Sequence, residues 1–105
     1  MNRYWISWIQ RTEDYRPLTS PPNVAILGWW CSGFDGDDNA VICATVQAID
    51  PSAAALAVFS DWPEAEVEVA KNGWRFFEPR EPGWIPSDRF ALSEWERERF
   101  AAATN

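Results

Sequence analysis

Adjacent aromatics in strand-like segments set the strongest constraint on this chain. Trp29 and Trp30 are neighbours, Phe76 and Phe77 are neighbours, and Trp5 lies three residues from Trp8. Successive residues of a strand point to opposite faces of its sheet. Strands here therefore place large rings on both faces. A single helix covers only one of them. The other must be covered by more of the chain or by another molecule. Burial in a core is the commoner fate of such rings, whereas an exposed aromatic patch marks a partner or ligand site. With eight Trp, six Phe and two Tyr in 105 residues, this choice governs any reading of the chain.

The segment 3–10 (RYWISWIQ) is rich in β-branched and aromatic residues without a breaker and predicts a strand. Three prolines make 11–23 a loop. Residues 25–32 and 40–49 predict two further strands, joined as an antiparallel hairpin by SGFDGDDN. Asp50 and Pro51 are a helix cap and a first helical residue, and Ala55, Val58, Phe59 and Trp62 follow as one apolar stripe. Pro63 is expected to end that helix. Ala65, Val67 and Val69 then alternate with Glu64, Glu66 and Glu68, the pattern of a half-buried strand. Asn72-Gly73 is a hairpin signal leading into a strand at 74–78. A Pro-rich loop (79–88) precedes a last helix, capped by Ser93 and Glu96, with Leu92, Trp95 and Ala103 on its apolar face. The predicted order is β-β-β-α-β-β-α. The expected class is α+β, a mostly antiparallel sheet of about five strands with two helices, in a single domain spanning 1–105.

Charge narrows the function. The chain carries −7 net with no His, and no basic residue lies between Arg16 and Lys71. Phosphate contacts need Lys and Arg, so direct binding to nucleic acid or to anionic membranes is not expected. Without His there is no triad or imidazole base, and there is no Gly-rich phosphate loop, so the expected protein is not an enzyme and needs no cofactor. The apolar run from Tyr4 to Ile9 is too short for a signal peptide or a membrane span, which predicts a cytoplasmic location.

Two metal readings fail on ligand count. Asp35, Asp37 and Asn39 match the first ligands of a calcium loop, but Ala40 stands where that loop needs Gly and Val46 where it needs a bidentate Glu. Zinc takes four ligands, and the chain offers two Cys and no His. A hairpin centred on Asp37 sets Cys31 opposite Cys43, and a slip of one residue separates their faces. The expectation is two reduced thiols that pack as small hydrophobes. No metal site is expected. The residues selected for partner binding are the acids Asp35, Asp37 and Asp38 of the turn and the outward Glu66 and Glu68 of the predicted strand. Trp84 in PGWIP and Tyr15 in the first loop are the candidate aromatic anchors.

The strings YWISWIQ, GWWCSGFD, FSDWPE, GWRFFEP and DRFALSEWERERF together resemble small proteins encoded by bacteriophages and mobile elements of Gram-negative bacteria. Small acidic phage proteins of this kind, anti-CRISPR proteins among them, inhibit host defence. The resemblance implies a non-enzymatic inhibitor that blocks a basic, nucleic-acid-handling surface of a host protein, such as a CRISPR effector component. It carries over no residue roles. The alternatives are a small-ligand or carbohydrate-binding module that uses exposed Trp, and a self-associating structural phage protein, with a homodimer as its simplest form.

Overall fold

The computed structural model describes residues 1–11 and 23–81. They form an α+β fold: strands β1 (Asn2–Gln10), β2 (Ile26–Phe34) and β3 (Ala40–Ala48), helices α1 (Pro51–Asp61) and α2 (Pro63–Asn72), and strand β4 (Phe76–Arg80). The sheet has four strands in the order β2-β3-β1-β4, and every pairing is antiparallel. The predicted loop at 11–23 and the predicted terminal loop and helix lie outside the described residues, apart from the ends of those loops.

The predicted strand at 64–69 is overturned. Residues 64–69 are helical, so the described part has one strand fewer and one helix more than the period-two alternation implied. Pro63 does end α1, which stops at Asp61, and it also occupies the first turn of α2, where a missing N–H costs nothing. Glu64 and Glu66 sit in the first turn and Lys71 in the last, each favourable to the helix dipole. Ala65, Glu68 and Val69 recur at helical spacing on the inner side, and Val67 points to solvent. Asn72-Gly73 is correspondingly a helix end and not a hairpin: Gly73 has φ 79° and donates its N–H to the Val69 carbonyl at 2.8 Å.

Helix α1 begins as read, but its buried face is shifted from the predicted stripe: Ala54 and Ala57 are buried, whereas Ala55 and Phe59 are only half-buried. The Asp50 carboxylate accepts from the Ala53 N–H at 2.8 Å, and Pro51 opens the first turn. Its inner face is set by Ala54, Ala57 and Val58. Trp62 joins the two helices, donating its N–H to the Val58 carbonyl and accepting from the Ala65 N–H at its own.

The aromatics split between the faces as their adjacency requires. Tyr4, Ile6 and Trp8 of β1 share a face with Ile42, Ala44 and Val46 of β3, and both helices pack there. Trp8 is fully buried, with its ring centroid 5.1 Å from Trp62 and 6.2 Å from Trp74, both edge-on. Trp29 reaches Trp62 on this side, and Phe77 meets Tyr4 and Trp74. On the second face Trp5 contacts Trp30 and Phe76, with the Arg80 guanidinium 4.5 Å from its ring centroid. Arg3 is buried on this face, and desolvation lowers its pKa.

Trp8→Ala is expected to cost about 3–5 kcal/mol in denaturant unfolding, the range for large-to-small aromatic substitution in a core. Phe34→Ala, at an exposed position, is expected to stay within about 0.5 kcal/mol of wild type.

Candidate functional site: the acidic hairpin tip

The β2–β3 connection is built around Asp35. Its Oδ1 accepts the N–H groups of Asp37 and Asn39 at 2.8 and 2.9 Å. The Asp35 N–H donates to the Asn39 carbonyl at 2.9 Å, and the Asp38 N–H to the Asp35 carbonyl at 3.1 Å. Asp38 adopts φ 63°, a left-handed conformation that Asp tolerates better than most residues. Asp35 is thus the internal lock of the turn. Its pKa is lowered, chiefly by the Asn39 N–H and further by the Asp37 N–H, the Asn39 side chain and the charge of Arg11. Asp37 and Asp38 are exposed and stand at the apex.

An aromatic missed by sequence reasoning stands beside them. Phe34 ends β2 opposite Ala40 and is 67% exposed. Its position next to a Gly-Asp turn, where no later strand residue can cover it, was the available signal. Tyr15 and Trp84, the aromatics selected from sequence, lie outside the described residues.

Helix α2 reaches the same end of the sheet. Gln10 pairs with Ala40 at the mouth of the hairpin, and its side-chain amide donates to Glu64 of α2. Arg11 forms a two-point contact with Glu68, Nε to Oε2 at 2.9 Å and Nη2 to Oε1 at 3.1 Å. Asn72 donates to the same carboxylate at 2.9 Å. Glu68 is therefore buried and structural, which corrects the expectation that it faces outward with Glu66. Two residues apart on a helix, they are about 200° apart around its axis. Glu66 is exposed; Glu68 is turned inward to Arg11.

The cysteines are likewise separated. The register centred on Asp37 holds for Gly33 with Val41 and Phe34 with Ala40. An irregularity between Cys31 and Gly33, where Gly33 takes φ 144°, then shifts the pairing, so that Trp30 faces Cys43 and Cys31 faces Ile42. Both thiols are free. Cys43 packs inside near Ser7, but Cys31 is exposed, against the expectation that both would pack. Among the described residues no three of His, Cys, Asp and Glu cluster as a metal would need, and no helix is long and apolar enough to cross a membrane. None of the six described tryptophans is exposed.

Comparison with protein families, with curated proteins and with solved structures returns no match. The site must be read from its own chemistry.

The lowered pKa of Asp35 has a definite sign. A carboxyl whose folded pKa lies below its unfolded value stabilises the fold above the unfolded pKa, and that contribution disappears as pH falls through the folded one. Amide hydrogen exchange at Asp37 and Asn39 is therefore expected to quicken in acid beyond its intrinsic pH dependence. In Asp35→Asn this acid-linked loosening should vanish and the turn should exchange faster at neutral pH.

Proposed function

We propose that this protein is a non-enzymatic binding module that blocks a basic, nucleic-acid-handling surface of a host protein, in the manner of a phage anti-defence inhibitor. The observation that carries this reading is the hairpin tip. An exposed phenylalanine, Phe34, adjoins two exposed carboxylates, Asp37 and Asp38, on a turn held rigid by Asp35. A desolvated aromatic flanked by charge is the composition of an interface anchor: the ring supplies affinity, and the charges supply steering and choice of partner. The stretch from 17 to 70 contains no Lys or Arg, so neither hairpin strand brings positive charge to the tip, and Arg11, whose charge reaches Asp35, is paired with Glu68. Glu66, exposed on α2, adds to it.

Within this reading the acids divide by role. Asp37 and Asp38 meet the partner, with Glu66 in support. Asp35 and Glu68 hold the surface in place. The carbohydrate-binding alternative draws no support from the six described tryptophans, which are engaged with other rings or buried.

The test is comparative capture from bacterial lysate with mass spectrometry. The variant Asp37→Lys/Asp38→Asn changes the charge of the tip by three while keeping at position 38 a residue that accepts positive φ. A basic partner retained by wild type and lost with this variant and with Phe34→Ala, at unchanged melting temperature, is the expected result. Equal retention by all three proteins at low salt would remove the tip from the mechanism.

A further inference from the structure

The two edges of the sheet are finished differently. β4 is five residues long, carries Pro79, which has no N–H to donate, and pairs Arg80 with Glu78 at 2.8 Å. Short length, proline and charge are devices that keep a sheet edge from pairing with another chain. β2, at the other edge, is nine residues long and has neither proline nor a charged side chain. Among the described residues no strand lies beyond it. Its first part is covered: Ile26, Leu27 and Gly28 are buried, and for Gly28 that burial is of the backbone itself. Its last part is open. Cys31, Ser32 and Phe34 are exposed and Gly33 is half-buried. The irregularity between Cys31 and Gly33 bends this part without covering it.

The hydrogen-bond pattern shows which backbone groups face outward. The Asp35 N–H donates to the Asn39 carbonyl, so the next pair, Phe34 with Ala40, is of the non-hydrogen-bonded kind. In such a pair the N–H and C=O of each residue point away from the other strand. Those of Phe34 therefore point out of the sheet edge, at the same residue whose ring is 67% exposed. We propose that the partner is held by strand addition: an extended segment of it pairs with the backbone of residues 31–34 and becomes a fifth strand of the sheet. This rests on the reading of the tip as the partner surface and adds how the partner is gripped. The occupant follows from the chemistry. An outward N–H and C=O on an uncharged strand end are matched by extended polypeptide, and alternate side chains of that segment then supply specificity. A segment continuing past Phe34 comes level with Asp37, exposed at the apex, where a Lys or Arg is complementary. A second copy fits poorly. Two-fold pairing of residues 31–34 with themselves sets residues 35–38 of one copy along 27–30 of the other, where the Gly28 backbone is already covered.

A displayed library of random peptides about eight residues long, panned on the full chain, supplies the probe, since that length spans the open run and reaches the turn. Each enriched clone is made as a synthetic peptide and as a set methylated at one backbone nitrogen at a time. NMR of the isotope-labelled chain reports on the Phe34 amide. The expected clones slow exchange of the Phe34 N–H at least about tenfold. Their affinity is expected to fall about tenfold or more on methylation at alternate positions, and less than about twofold at those between. A period of two is the signature of a paired strand. Clones that protect the Phe34 amide without that period would overturn strand addition, as would a library in which no clone protects it. Asp37→Lys separates this outcome from the function proposed above, because position 37 lies outside the paired run. Period-two binding indifferent to Asp37→Lys supports the added strand and removes the acidic tip. Binding lost with Asp37→Lys but lacking the period supports the tip and overturns the added strand. A wild-type dimer in sedimentation with its own Phe34 amide protected would assign the edge to a second copy and overturn the proposed partner.

Discussion

The structure depends on the burial of Trp8. Its ring lies on the helix-covered face of β1, near the end of the strand, edge-on to Trp62 at the α1–α2 junction and to Trp74 just beyond α2. One side chain thereby fixes the place where the helices meet and the place where the chain returns toward the sheet. A buried indole N–H must find an acceptor. Here it donates to the Gln10 side-chain oxygen at 3.1 Å, and the Gln10 amide donates in turn to Glu64. The core is thus linked through two hydrogen bonds to the first turn of α2.

That linkage explains why the acids gather where they do. Gln10 and Arg11 close β1 beside the mouth of the β2–β3 hairpin, and they draw Glu64 and Glu68 to the same end. Arg11 serves both sides, bonding Glu68 and lowering the pKa of Asp35. With those acids held, Asp37, Asp38 and Glu66 remain exposed. At the other end, β3 runs out into Ile49 and the Asp50 cap, and α1 begins over small side chains. The result is a sheet with an acidic end that carries one exposed ring and an apolar end.

Much of this was legible in the sequence. The β-branched and aromatic runs gave β1, β2 and β3, and Asp50-Pro51 gave the start of α1, because these signals are local. The failures had physical causes. Six residues of period-two alternation from Glu64 to Val69 also fit one side of a helix, with Ala65 and Val69 four apart and Val67 facing out. Pro63, Lys71 and Gly73 were the better witnesses. Reading Glu68 as surface followed from that error, since only a helix turns it toward Arg11. The Cys31–Cys43 register failed for a different reason: the irregularity at Gly33 moves the pairing by one residue and leaves no mark in composition. Phe34 was not legible because a ring at a strand end is covered or bare according to what packs beside it, which strand periodicity does not reveal.

In the proposed function, the hairpin tip is the surface that meets the partner. Hydrogen-exchange mass spectrometry of the chain, free and in complex with a captured basic partner, tests it most directly. Slowed exchange across residues 34–39 on binding is the expected result. Unchanged exchange there, with slowing confined to other segments, would contradict it.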